Sequence, residues 1–271
     1  MPELPEVETT VRGLTPVLAG QRLVTVEPRR ADLRKAIPVD LRRRMTGATV
    51  TALGRRAKYG TIATDRGDTM IFHLGMSGRW RVDPSEPLAH DHLLIETGVG
   101  RSVVLNDPRR FGFLDLCRTD DIHTYPPFAA MGPEPLGPAL TGAYLLDALA
   151  GRSAPIKAML LDQRIVAGLG NIYVCEALHM ARIAPSRAAG RIALVRLERL
   201  VAAIHAVLMA AIEAGGSTLR DFAAPDGELG YFSKQFLAYG REGEACDCGG
   251  VVKRRVESGR STFWCPACQR G

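Results

Sequence analysis

The chain has no apolar run long enough to cross a bilayer as a helix. It also has no basic-then-apolar start of the kind that directs export; its first residues are acidic and proline-rich. Six cysteines in 271 residues are too few for a disulfide scaffold. Reduced thiols, a cytoplasmic location and no membrane partner are therefore expected. No internal repeat or low-complexity tract is present, which leaves an ordinary globular architecture. The "GLGN" stretch lacks the preceding strand and full glycine pattern of a dinucleotide-binding turn, so that reading fails.

What the chain does have is arginine in clusters. The net charge of +6 is moderate, but "RRADLRK", "LRRRM", "GRRAKYG", "DPRRFG" and "VKRRVESGR" concentrate positive charge. Such clusters suit an anionic, phosphate-bearing partner. The bland alternative is a surface that simply uses arginine heavily.

The periodicity changes along the chain. "EVETTVRGLTPVLAG" reads as a helix stopped by Gly20. From Leu23 to Leu116 short alternating runs follow, with turn signals at Arg66-Gly67-Asp68 and Ser77-Gly78. A β-sandwich or barrel behind one helix fits. The Pro/Gly-rich "YPPFAAMGPEPLGP" is the best linker, and helical patterns follow it. The longest helix carries an apolar stripe at Leu194, Leu197, Val201, Ile204 and Leu208 and closes at Gly215 and Gly216. That stripe predicts core, with His205 as a partly buried helix residue. Cys117 and Cys175 sit in apolar contexts and are expected to pack as small core residues.

Two segments carry chemistry. In "MPELPEVE" the prolines either stiffen the approach to a helix or, once Met1 is removed, expose the Pro2 nitrogen. A terminal amine titrates at about 7.7–8.0, so part of it is nucleophilic at neutral pH. Attack by a secondary amine on an aldehyde-like carbon gives an iminium ion, which is an electron sink. Near the other end, "CDCGGVVKRRVESGRSTFWCPAC" holds two cysteine pairs sixteen residues apart. Four thiolates at this spacing match a tetrahedral zinc hairpin. The first pair, Cys246 and Cys248, is one residue shorter than the usual gap, which removes a backbone position able to donate to sulfur. Gly249 and Gly250 can absorb the strain. The alternatives are a metal-free hairpin, a weak, oxidation-prone site, or Asp247 as a substitute ligand.

Taken together, "MPELPEVE", "RRAKYG", "HLGMSG", "HDH", "NDPRRFG", "MGPEPL", "GLGNIY" and "GRSTFWCPAC" resemble the formamidopyrimidine-DNA glycosylase family from end to end. The resemblance implies an α+β fold. An N-terminal helix and β-sandwich would form a catalytic domain over 1–125, with a linker over 126–138. A helical domain over 139–240 would hold a helix-two-turns-helix element, and 241–271 a zinc β-hairpin.

The implied activity is base-excision repair of oxidised purines in duplex DNA, followed by strand cleavage through β,δ-elimination. Pro2 would be the nucleophile, Glu3 the general acid, Lys58 a phosphate-holding and proton-moving group, and Arg260 the hairpin phosphate clamp. Glu6 would orient the reacting groups. Met76, Arg109 and Phe111 match the residues that fill the gap left by a flipped base. His90, Arg152 and Asn171 match backbone contacts, with His92 a structural alternative. Ser217, Thr218 and Tyr231 would lie near the base, in a mobile loop. One structural zinc ion would sit on Cys246, Cys248, Cys265 and Cys268. The partner would be damaged double-stranded DNA, bound by a monomer in the bacterial cytoplasm or nucleoid. The competing readings are an endonuclease VIII-type glycosylase for oxidised pyrimidines and a non-catalytic binder of damaged DNA.

Overall fold

The computed structural model describes residues 1–218, 222–257 and 259–270. Their contacts define two compact units: residues 1–129 with 214–231, and residues 130–213 with 232–271.

The first unit starts with α1 (Leu4–Leu18), which carries Pro5 in its first turn, where no intrahelical N–H is needed. Leu4, Val7, Val11, Leu14 and Leu18 form its fully or nearly fully buried stripe. Gly20 then takes φ +74°, the left-handed conformation that ends the helical path. The strands β1 (Leu23–Pro28), β2 (Val50–Arg56), β3 (Tyr59–Thr64), β4 (Asp68–His73), β5 (Arg79–Val82), β6 (Asp91–Thr97), β7 (Ser102–Asn106) and β8 (Phe113–Arg118) follow, with two short helices, α2 (Leu41–Met45) and α3 (Pro126–Ala129).

They make two four-stranded sheets, ordered β1-β6-β7-β5 and β2-β3-β4-β8. Every pairing is antiparallel. Strand β3 alternates half-buried and buried residues, as a strand with one covered face should. Trp80, Leu93, Ile95 and Leu105 from the first sheet join Ile62, Met70, Phe72 and Leu114 from the second in one core with α1 and α2. Each such large side chain contributes about 1.5–3 kcal/mol on burial. Gly60 sits opposite Phe72 across β3 and β4. A Cβ there would lie 2.0 Å from the ring, so only glycine fits.

The second unit contains α4 (Gly142–Ala148), α5 (Ile156–Leu161), α6 (Asn171–Met180), α7 (Leu194–Glu213) and a hairpin of β9 (Lys253–Glu257) and β10 (Arg260–Trp264). Thr141 caps α4 by accepting the Tyr144 N–H at 3.0 Å. Helix α7 buries Leu197, Leu200, Ile204, Val207, Leu208 and Ala211. The expected stripe shifts by part of a turn: Leu194 is exposed, and so is His205. Cys175 is fully buried as expected. Cys117 is only half-buried, because β8 is an edge strand.

Segment 214–231 clusters with the first unit although it follows α7 in sequence. Its ties are local and specific. Val82 donates its N–H to the Pro225 carbonyl at 2.8 Å. The Pro225 ring lies so close to α1 that a Cβ on Gly13 would meet it at 2.8 Å.

Candidate nucleic-acid site and metal centre

Pro2 is buried, and Met1 ahead of it is exposed. Glu3 and Glu6 are 3% and 2% exposed, rare values for carboxylates. Glu6 organises this end of the unit. Its Oε2 accepts the Glu3 N–H at 2.8 Å, and its Oε1 accepts the Ser217 N–H, also at 2.8 Å. One carboxylate thus fixes the residue after Pro2 and the start of the 214–231 segment. Gly216 takes φ +85° beside it, where an added Cβ would press on the Glu6 side chain at 3.2 Å.

Lys58 lies in the two-residue turn between β2 and β3, after Ala57 at φ +53°. Turn lysines normally project into water, but this one is 8% exposed. Its charge is felt by His73, whose pKa falls to about 4, through burial first and Lys58 second. His73 therefore stays neutral, with its Nδ1 accepting the Gly75 N–H at 3.0 Å. Its ring stacks on Phe113 with centroids 5.5 Å apart.

Met76, Arg109 and Phe111 come from two loops that Asp107 ties together. Ser77 Oγ donates to Asp107 Oδ1 at 2.6 Å, and Arg109 N–H donates to that Ser77 Oγ at 3.1 Å. Gly112 N–H donates to Asp107 Oδ2 at 2.8 Å. Gly75, at φ +62°, brings the loops so close that a Cβ would sit 2.3 Å from the Gly112 nitrogen. The result is a tight base with an exposed crest. Met76 is 38% and Phe111 44% exposed. The Arg109 guanidinium lies 4.9 Å from the Phe111 ring centroid. His90 is exposed at φ +71°, whereas His92 is buried and bonded to the Asp107 carbonyl through Nε2 at 2.9 Å. His92 is thus a structural residue. Asp107 and Ser77 belong to quoted motifs, yet nothing in the sequence marked them as the loop tie.

In segment 214–231, Ser217 pairs with Tyr231 in an isolated bridge. Thr218 Oγ1 accepts the Gly230 N–H at 2.8 Å and donates to the Phe222 carbonyl at 2.9 Å. Ser217 is buried and Tyr231 is 52% exposed. Residues 219–221 of the expected loop lie outside the described residues.

In the second unit, α5 and α6 are joined by two turns that Gln163 braces. Its Oε1 accepts the Gly168 N–H at 2.8 Å, and its Nε2 donates to the Leu161 and Leu169 carbonyls. Asn171 is the first residue of α6 and donates Nδ2–H to the Ser261 carbonyl of β10 at 2.8 Å. Its buried Oδ1 has no partner among the described residues. Lys157 is 3% exposed and donates to the Ser261 carbonyl and Thr262 Oγ1 at 3.1 and 2.7 Å. Burial pulls its pKa down. Arg260 follows Gly259, at φ +72°, and is exposed at the start of β10. Arg152 is exposed too, and its carbonyl accepts the Gly190 N–H at 2.8 Å.

The four cysteine sulfurs converge, all lying within 4.8 Å of one another. Cys246 and Cys268 Sγ are 3.9 Å apart, and Cys248 and Cys265 Sγ 3.5 Å. Zn–S bonds of about 2.3 Å in a tetrahedron place sulfurs about 3.8 Å apart. The donor set therefore fits a tetrahedral zinc ion. Gly249 takes φ +83°, and Gly250 leaves room for sulfur, since a Cβ would lie 2.8 Å from Cys265 Sγ. These glycines accommodate the shortened first pair. Asp247 is not a member of the cluster. Without a cation, burial and the neighbouring sulfurs push Cys268 up to about 12, while the Gly250 N–H and the neighbouring thiols bring Cys248 down to about 7.

Comparison with known proteins agrees with this geometry. Residues 1–114 match the formamidopyrimidine-DNA glycosylase N-terminal domain, and residues 131–223 the H2TH domain of the same enzymes. The formamidopyrimidine-DNA glycosylase of Rhizorhabdus wittichii is 72% identical over 270 residues, with 100% of both chains covered. That of Sphingopyxis alaskensis is 63% identical over the same span, again with 100% of both chains covered. Among solved structures, a Lactococcus lactis Fpg variant complexed with a Fapy-dG-containing DNA superposes with TM-score 0.92 at 32% identity, covering 100% of both chains. The MutM (Fpg) protein of Thermus thermophilus gives 0.87 at 40% identity, covering 99% of this chain and 98% of that one.

A mixed α+β fold with clustered arginines, two-turn helix pairing and a four-cysteine hairpin defines a DNA-repair glycosylase. This chain belongs to the formamidopyrimidine-DNA glycosylase family.

Proposed function

We propose that the protein excises oxidised purines, 8-oxoguanine and formamidopyrimidines, from duplex DNA and then cleaves the strand. The observation that carries this is the chain start: Pro2 precedes two nearly inaccessible carboxylates, Glu3 and Glu6, and Glu6 bonds the N–H groups of both Glu3 and Ser217. After loss of Met1, the Pro2 nitrogen attacks C1′ of the damaged nucleotide. The C1′–base bond breaks and the base departs with a proton. Glu3 protonates the ring oxygen as the sugar opens, leaving a C1′ iminium on Pro2.

The iminium acidifies the C2′ proton. Its removal expels the 3′ phosphate, and a second elimination expels the 5′ phosphate. Water then hydrolyses the imine and regenerates the amine. Lys58, desolvated in its turn, moves protons and holds phosphate; Arg260 clamps a phosphate and assists the second elimination. The Met76–Arg109–Phe111 crest fills the gap, Arg109 bonding the unpaired base opposite. His90, Arg152 and Asn171 contact phosphates, the Asn171 site lying at a helix N-terminus. Ser217, Thr218 and Tyr231 face the flipped base. Solved relatives support the DNA partner: the Lactococcus lactis enzyme was captured with an abasic-site DNA. The protein acts as a monomer in the bacterial cytoplasm, with zinc held by the four cysteines. Bound there, zinc supplies order to a hairpin with little core of its own.

Borohydride trapping tests the reading. Mature protein should form a covalent adduct with 8-oxoguanine duplex, and an N-terminal extension should abolish it. Undiminished trapping by the extended chain would remove Pro2 as nucleophile. Stronger trapping on oxidised-pyrimidine duplex would favour the endonuclease VIII-type activity, and no trapping on either would leave a binder.

A further inference from the structure

Cys246 receives one backbone donor from its own loop, the Cys248 N–H. It is 7% exposed and sits in an apolar cluster with Ala238, Val252, Phe263 and Cys265. A thiolate in such surroundings needs hydrogen-bond donors to hold its charge. The Cys246-Asp247-Cys248 knuckle is one residue short, so a backbone position that could donate is missing.

A second donor arrives from elsewhere. His179, in the last turn of α6, places Nε2 3.3 Å from Cys246 Sγ. Its Nδ1 is buried without a hydrogen-bond partner among the described residues. The Nε2–H tautomer follows: the other would aim a lone pair at sulfur and bury an N–H with no acceptor. His179 is not one of the converging ligands, which are the four sulfurs alone.

Helix α6 is fixed against the same hairpin region along its length. Asn171 at its start bonds Ser261. Glu176 in its middle accepts the N–H groups of Leu237, Ala238 and Tyr239 at 2.7–2.9 Å. The imidazole is thus delivered by a rigid element.

We propose that His179 is a positioning residue of the zinc centre, donating Nε2–H to Cys246 Sγ in place of the donor lost from the shortened knuckle. The inference rests on the zinc reading above. It makes metal retention depend on a residue 67 positions away from its nearest ligand in sequence. Partners of this kind are worth roughly 10- to 100-fold in metal affinity.

The test is zinc competition with a chromophoric chelator on the full-length chain, with wild type, His179→Gln and His179→Met. Gln reaches the imidazole Nε2 position with an N–H; Met matches its length without one. Zinc affinity should fall roughly tenfold or more in His179→Met and stay within a few-fold of wild type in His179→Gln. In the cobalt-substituted proteins, the thiolate-to-metal charge-transfer band should shift in the Met variant only. Equal affinity in all three, or equal loss in both variants, would overturn the proposal. Should His179→Met not fold, His179→Asn replaces it, since its shorter amide cannot reach the sulfur. A wild-type chain binding neither zinc nor cobalt would instead sink the zinc reading, and this inference with it.

Discussion

Asp107 shows how much can depend on one carboxylate that does no chemistry. It accepts from Ser77 and Gly112, and Ser77 in turn accepts from Arg109. Hydrogen bonds to a charged group are worth about 1.5–3 kcal/mol each, and breaking a buried set strands its donors. Asp107→Ala should lower stability by on the order of 3 kcal/mol in urea unfolding. It should also weaken binding to abasic-site duplex more than Met76→Ala does, because the whole crest loosens. Equal effects would show that the crest does not depend on its tie.

His73 gives a pH prediction at the same scale. Its folded pKa is about 4 against an ordinary 6.5. The unfolded chain takes up the proton first as pH falls. The stabilisation is therefore complete above about pH 6.5 and is lost progressively towards pH 4, by up to about 3 kcal/mol. Urea unfolding at pH 7 and pH 5 should show a smaller difference for His73→Gln than for wild type. An unchanged difference would assign the acid sensitivity elsewhere.

Helix α1 was readable in sequence from its prolines, its apolar spacing and Gly20. The two-residue turn before β3 was not, because Ala57 is an unusual residue for positive φ. Lysine's ordinary preference for water likewise gave no hint of a buried Lys58. In the β3–β4 pair, Gly60 opposes the fully buried Phe72 ring. Gly60→Ala should therefore destabilise by about 1–3 kcal/mol, the range for forced overpacking. The expected readout is a lower thermal midpoint; an unchanged midpoint would mean that the ring has room to move. In α7, the apolar period was legible but its phase was not. Leu194 is exposed because the buried face is set by neighbouring helices, which periodicity alone does not locate.

Over the whole molecule, the hairpin has only a small core of its own, so chelation should act locally. Zinc removal should unfold the hairpin region, and hydrogen exchange should speed up in residues 246–268 while the sheets of the first unit keep their protection. Uniform loss of protection would contradict a local role. The same treatment should weaken DNA binding, since Asn171 and Lys157 both bond the hairpin strand.

Sequence alone determined the family, the α+β class, the four-cysteine hairpin and the residue types able to do amine chemistry. These follow from local patterns: spacing, period and composition within short windows. Tertiary structure alone decided that Glu6 bonds Ser217, 211 positions away, that Asp107 joins two loops, and that segment 214–231 packs with the N-terminal unit. Such contacts depend on where distant backbone N–H groups fall once both sheets are packed, and a hydrogen bond formed only in the folded chain leaves no periodic trace in the order of its residues.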